Sequence, residues 1–304
     1  RELGQDIQTT EFSVIGIGDM WIVGQLEDAA TQGAVDVGTR LFIILFVTMN
    51  FLKTGTTGLV AQAGTRGGQD GGETEQAQLL ARGLVIGAAI AAALLLFKPW
   101  LMPALLDALG ADSNVLAAAS TYAEIRYWTA PGVMLNLALI GFLVGRRQMT
   151  AVLLVEVIYN LLNVSIGIVL ALWLDWGIAG IGWSSFIAEY AKLAILIALV
   201  MRSSAALALL SSIGDRAVFG WTSLKPFLSV NRDLFLRTVI LIGTGAVLTR
   251  VSAERGEVVL AANGIIYQLF DFTVTTFAPL GIKSNELTDR LADLYHAFRI
   301  IKQL

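Results

Sequence analysis

A succession of unbroken apolar runs, each long enough to cross a bilayer, constrains this chain most. A crossing takes roughly 20 mostly apolar residues. Residues 32–52, 77–97, 121–144, 150–174 and 177–201 qualify, and 227–251 and 257–280 add two more candidates. An earlier run, FSVIGIGDMWIVGQL at 12–26, is too short to span and follows the polar RELGQDIQTTE, so it reads as the second half of a crossing. Barrel strands would be about ten residues long and would alternate apolar with polar. These runs are longer and continuous, which predicts helices. Hydrophobic residues make up 56% of the chain and charged residues only 15%, against about a quarter charged in a soluble domain. Too little polar surface is left to face water all round. Trp100, Trp128, Trp173, Trp176 and Trp221 fall near the expected span ends, as interfacial belts place them. The expectation is an all-α integral membrane protein, a polytopic helical bundle.

The same sequence excludes much else. With no Cys, there is no disulfide framework and no thiol nucleophile. His296, near the C-terminus, is the single histidine, which leaves a Ser-His-Asp triad little to work with and a multi-histidine metal site still less. No nucleophile stands beside a base, so an enzyme is not expected and no catalytic or metal residue is assigned. A net charge of −3 argues against nucleic acid as a partner. The string GTRGGQDGG at 64–72 lacks the ending of a phosphate-binding loop. No signal peptide is expected, since no basic flank precedes an apolar core at the start.

Loop charge suggests an orientation. With the N-terminus cytoplasmic, the inside loops hold Arg66, Arg146, Arg147, Arg202, Arg216 and Lys225, and the outside loops are mostly acidic. That is the positive-inside bias. The longest polar connections are 62–76, Gly-rich, and 202–225, read as a linker between two bundles. A faint internal echo relates GAVDVGTRLF at 33–42 to AANGIIYQLF at 261–270. Such internal repeats are common in secondary transporters.

Five strings in order carry a resemblance: GDMWIVGQL at 18–26, FLKTGTTGLVAQA at 51–63, YAEIRYWTAPGVMLNLALIGFLVGRRQ at 122–148, NLLNVSIGIVLAL at 160–172 with GIAGIGWSSFIAEYAKL at 177–193, and VNRDLFLRT at 230–238 with VVLAANGIIYQLF at 258–270. Together they resemble the multidrug and toxic compound extrusion (MATE) family, its DinF-type branch most closely. The resemblance implies one six-helix MATE-like lobe over 1–201 with a shortened first helix, a cytoplasmic inter-lobe linker over 202–225, and a partial second lobe over 226–304 with about two helices and a divergent polar tail. After Phe270 the likeness fades, and the chain reads as an incomplete version of a twelve-helix inner-membrane antiporter.

Several polar residues inside the runs are candidates for function. Asp19 interrupts an apolar stretch, where an ionised carboxylate costs about 2.5–3.5 kcal/mol at a helix centre. It matches the family's first-helix aspartate, which the resemblance makes the coupling-ion or proton site. Asn160 and Asn163, three residues apart, share a helical face that lines a polar cavity or pins two helices. The family places an aspartate four residues after the second of them, where this chain has Gly167. Ser185 and Tyr122 match a family threonine and tyrosine. Asn136 follows Pro131, which is expected to kink the fourth crossing and shape a cavity. Glu156, one turn before Asn160, is expected to face the same cavity, and Glu189 to be structural. Asp36 and Arg40 are spaced to pair, while Glu124 and Arg126 fall near a helix end and read as solvated.

The function this implies is a secondary active transporter. It would be a cation-coupled antiporter exporting amphipathic or cationic drugs and metabolites across a bacterial inner membrane. Its coupling ion would be H+ or Na+, with no other cofactor. A small-molecule substrate and the lipid bilayer are its expected partners, with no obligatory protein partner. Two readings compete: a non-transporting truncated fragment, and a lipid-linked oligosaccharide flippase of the wider superfamily, which would call for a more cationic cavity than the scattered Arg residues offer.

Overall fold

In a bilayer every backbone donor and acceptor must be satisfied within the segment, so continuous apolar runs fold as helices. The computed structural model describes residue 22 and residues 29–66, 72–108 and 113–254, and these are helical almost throughout. The elements are α1 (Ala29–Val47), a 3-10 turn (Thr48–Asn50), α2 (Phe51–Arg66), α3 (Glu73–Ala108), α4 (Ser113–Arg126), a 3-10 turn (Tyr127–Thr129), α5 (Ala130–Gly145), α6 (Met149–Gly167), a π-helical segment (Ile168–Trp173), α7 (Gly177–Met201), α8 (Ala206–Gly214), a 3-10 turn (Arg216–Phe219) and α9 (Trp221–Glu254). The chain divides into two compact units, Phe12–Ile242 and Arg1–Glu11 with Gly243–Leu304. Everything below concerns the first.

Five helical stretches among the described residues are long and apolar enough to cross a membrane: Gly33–Arg66, Glu73–Asp107, Val115–Gly145, Met149–Trp173 and Gly177–Met201. They cover the five crossings expected over 32–201. The expected crossing at 227–251 is helical as part of α9 but is not among the five, and it carries Arg232, Asp233 and Arg237 in its first half. The candidate at 257–280, Asp271 and His296 lie outside the described residues. The polar connection expected over 62–76 is shorter: α2 runs on to Arg66 and α3 starts at Glu73. Pro131 does not bend a helix interior. It sits in the first turn of α5, after the 3-10 turn, where its missing N–H costs nothing.

α5 is the centre of the bundle, packed by α2, α3 and α7. Two GxxxG strings let the backbones close up. A Cβ on Gly141 would lie 2.7 Å from the Lys53 carbonyl oxygen of α2, and one on Gly145 would lie 2.7 Å from Val60. On α3, a Cβ at Gly87 would stand 3.0 Å from the Met134 carbonyl oxygen and one at Gly83 3.4 Å from Ala138. The turn from α5 to α6 closes with Arg147 N–H to Val144 O and Gln148 N–H to Leu143 O, Arg147 taking the left-handed conformation (φ 63°) that glycine usually fills. The expected belt tryptophans 100, 128, 173, 176 and 221 are all exposed.

Candidate functional site in the α5–α6–α7 seam

Polar side chains collect on one buried seam. On α6, Val152, Val155, Glu156, Tyr159, Asn163 and Gly167 recur at helical spacing and are buried, while Leu154, Val157 and Leu161 face out. Glu156 is only 3% exposed, and its carboxylate pairs with the buried ammonium of Lys192 on α7. The Lys192 Nζ lies 4.7 Å from the centre of the Tyr159 ring, a cation–π arrangement that holds the ammonium from a second side. One turn back on α7, Glu189 accepts from the Asn136 side-chain amide at 2.7 Å, and the same amide reaches the Glu189 carbonyl at 3.2 Å. Gly132 makes room for this approach, since a Cβ there would stand 3.1 Å from Glu189 Cγ.

Further along the stripe, the Ser184 hydroxyl donates to Asn163 Oδ1 at 3.2 Å and lies 2.8 Å from the Ile181 carbonyl. The stripe ends at Gly167, where a Cβ would meet Ile22 Cδ1 at 2.7 Å and Ser184 Oγ at 3.3 Å. Ile22 belongs to the first apolar run, three residues beyond Asp19. Beyond Gly167, α6 passes into the π-helical segment, and the start of α7 crosses it closely enough that a Cβ on Gly180 would sit 2.7 Å from the Ala171 nitrogen. Such π segments are frequent at functional sites.

The seam gathers some expected residues and not others. Asn136 and Asn163 are in it, each bonded across a helix interface. Asn160 is half-buried and its amide turns back to its own helix, to the Glu156 carbonyl at 2.9 Å. Ser185 is buried beside Ser184, and its hydroxyl has no hydrogen-bond partner among the described residues. Tyr122 packs instead against α1, edge-on to Phe42 at 6.3 Å, and accepts from Arg126, which is therefore engaged rather than simply solvated. Glu124 is exposed and pairs with Lys98. Asp19 and the Asp36 side chain lie outside the described residues. Among those residues no group of His, Cys, Asp and Glu has the make-up to hold a metal ion. Lys192 was not singled out from the sequence. A lysine inside the 177–201 run was the available signal, but its spacing points to Glu189 on its own helix and not to Glu156.

A second polar cluster ties helix ends together. Arg146, at the end of α5, donates to Glu73 at the start of α3 at 3.1 Å and to Ser204 after α7 at 3.1 Å, and Ser204 also binds Glu73. The ends of three long helices therefore meet on one side.

A bundle of five membrane-length helices among the described residues, with a buried ionic seam, defines the class as a multi-pass α-helical membrane protein. Residues 9–169, more than half of the chain, match the MatE family model, and the chain belongs to the MatE family, a family of transporters and not of enzymes. DNA damage-inducible protein F of Escherichia coli (strain K12) is 29% identical over 262 residues, covering 86% of this chain and 55% of that protein, which sets the chain in the DinF-type branch. A crystal structure of a MATE protein in the bent conformation superimposes with a TM-score of 0.75 at 17% identity, covering 91% of this chain and 61% of the other. The bent form of the Vibrio cholerae MATE transporter VcmN gives 0.70 at 16%, with the same coverage. A MOP superfamily transporter from Pyrococcus furiosus gives 0.68 at 18%, covering 91% and 60%. The chain spans about half the length of the curated relative it matches.

Proposed function

We propose that this chain works as the first lobe, residues 1–201, of a cation-coupled antiporter that exports amphipathic or cationic compounds across a bacterial inner membrane. The segment 202–225 then links it to the beginning of a second lobe over 226–304. The observation that carries this reading is the buried ionic and amide seam of Glu156, Lys192, Glu189, Asn136 and Asn163 between membrane-length helices. Ionisable groups are costly at membrane depth and mark ion or substrate paths. The seam ends at Gly167 against Ile22, three residues after Asp19 in the sequence, which supports Asp19 as the site of H+ or Na+.

In this mechanism the cation enters at Asp19 from outside, displaces the interaction that retains substrate, and the lobe shifts to release substrate outward. Asn163 fixes Ser184, which lies beside the contact between Gly167 and Ile22. Tyr122, Asn160 and Ser185 are assigned to the cavity on the resemblance, and Asn136 acts by fixing Glu189. The orientation with a cytoplasmic N-terminus is supported by the basic residues Arg146, Arg147 and Arg202 at the end where α5 and α7 finish.

The test is Asp19→Asn in the full-length protein, assayed in everted membrane vesicles with a fluorescent cationic dye. Gradient-driven dye movement is expected to stop while the protein still inserts. Unchanged movement would remove Asp19 from the mechanism.

A further inference from the structure

Between α7 and α9 the chain was expected to run as a polar linker. It folds instead into the nine-residue α8, ALALLSSIG, which holds no charged residue. Ala206, Leu209 and Ser212 turn inward, and α8 packs on α3. Leu207, 80% exposed, with Leu210 and Ile213 forms an adjoining outward stripe, and exposed Ser211 lies at its margin. Single exposed leucines are ordinary on protein surfaces. Three large apolar side chains on one arc of an uncharged two-and-a-half-turn helix are not what a solvated linker presents.

The surroundings say what covers this stripe. The outward face of α7 is apolar along its length, with Trp183, Ile187, Ile197 and Met201 exposed, as a lipid-facing helix is. α8 begins five residues after Met201, so its stripe follows that apolar face closely along the chain. The segment is held there: the Arg82 side chain donates to the Val218 carbonyl at 2.9 Å, and Ser204 is fixed by Glu73 and Arg146. Arg202 before α8, and Trp221 and Lys225 after it, are exposed. Aromatic and basic residues of this kind flank segments that lie at the headgroup level.

We propose that α8 is an interfacial anchor: it lies in an anionic phospholipid leaflet with Leu207, Leu210 and Ile213 among the acyl chains and Ser211 towards the headgroups, while Arg202 and Lys225 contact lipid phosphates. The connector leaving this lobe is thereby tied to the leaflet and does not swing free in water. This does not depend on the transport reading, because it concerns where the segment sits and not what the protein moves.

The sequence contains no Cys, so a single introduced thiol reports one position. Leu207→Cys, Leu210→Cys, Ser211→Cys and Ile213→Cys, each carrying an environment-sensitive fluorophore, are reconstituted as the full protein in phosphatidylcholine–phosphatidylglycerol vesicles. Labels at 207, 210 and 213 are expected to be quenched by acyl-chain spin-labelled lipid and shielded from iodide, with the label at 211 the most open to iodide. Arg202→Gln and Lys225→Gln are each expected to lower the preference for spin-labelled phosphatidylglycerol over phosphatidylcholine about fivefold. Since the four labelled residues point outward, the substitutions leave the packed face of α8 untouched. Iodide access at all four sites would make the segment a solvated linker. Shielding from both quenchers would mean protein covers the stripe. Either result overturns the proposal.

Discussion

Two seams of this bundle are held by opposite means. Where α2 and α3 meet α5, glycines bring backbone against backbone: Gly141 against the Lys53 carbonyl, Gly145 against the Thr57 carbonyl, Gly87 against the Met134 carbonyl. Where α5, α6 and α7 meet, side chains reach across: Glu156 to Lys192, Asn136 to Glu189, Ser184 to Asn163. Lipid is as apolar as the helix surfaces, so no hydrophobic drive brings helices together, and close packing and interhelical polar bonds do that work. A seam built on shape has one arrangement, because a shift of an ångström makes a clash or a gap. A seam built on polar bonds can exchange partners, and Lys192 has both Glu156 across the interface and Glu189 one turn away on its own helix. The first is suited to a frame and the second to the part that changes.

The largest effect should come from breaking the charged side of this contrast. Lys192→Met leaves Glu156 without its ammonium in a buried site, and removing one member of a buried pair costs about 3–5 kcal/mol. The midpoint of thermal unfolding in detergent is expected to fall accordingly. Glu156→Leu combined with Lys192→Met replaces both charges by apolar side chains and should return stability to within about 1 kcal/mol of wild type, because no buried charge is left to desolvate. If the double variant is as unstable as the single one, side-chain shape and not charge holds α6 to α7, and the contrast between the seams collapses.

Next in size is Gly141→Ala. The new methyl would meet the Lys53 carbonyl oxygen at 2.7 Å and Thr56 Cβ at 2.9 Å, and the first of these is backbone that cannot rotate aside. Overpacking of this kind costs about 1–3 kcal/mol, read in the same unfolding experiment. An unchanged midpoint would show that α2 and α5 part easily and that the glycine seam is not a rigid frame.

The helices themselves were legible because a continuous apolar run leaves the backbone no other structure in lipid. Their ends were less so. QAGTR at 62–66 has the composition of a loop, yet it finishes α2, with Thr65 and Arg66 both bonded back to Gln62 and with Gln76 of α3 donating to the Val60 carbonyl. Polar residues at a span end satisfy one another and the helix continues through them. The GLVIG and GFLVG strings carried the glycine seam in plain spacing, but spacing alone does not say which helix lies opposite. For the polar seam, the sequence shows that Asn163 and Glu156 share a face and that Lys192 and Glu189 share another. It does not show that the two faces meet, since Glu156 and Lys192 stand on different helices and only packing joins them. Tyr122 likewise gave no sign in the sequence of its neighbours Phe42 and Arg126, the first of which stands on another helix.

The smallest expected effect falls at Gly167, the position where the resemblance calls for an aspartate. The same Gly→Ala change that is costly at position 141 should be nearly neutral here. The methyl would meet Ile22 Cδ1 at 2.7 Å, but that atom is the terminal methyl of a side chain and can turn about χ2 as a backbone carbonyl cannot, and the next neighbour, Ser184 Oγ, is at 3.3 Å. Helix propensity favours Ala over Gly by about 0.8–1.0 kcal/mol, which offsets the cost of moving Ile22. The unfolding midpoint of Gly167→Ala should therefore stay within about 1 kcal/mol of wild type. A loss matching that at Gly141 would mean that Ile22 is held as firmly as backbone. The end of the polar seam would then be another shape-built contact, with Ile22 locked against α6 and unable to shift past it.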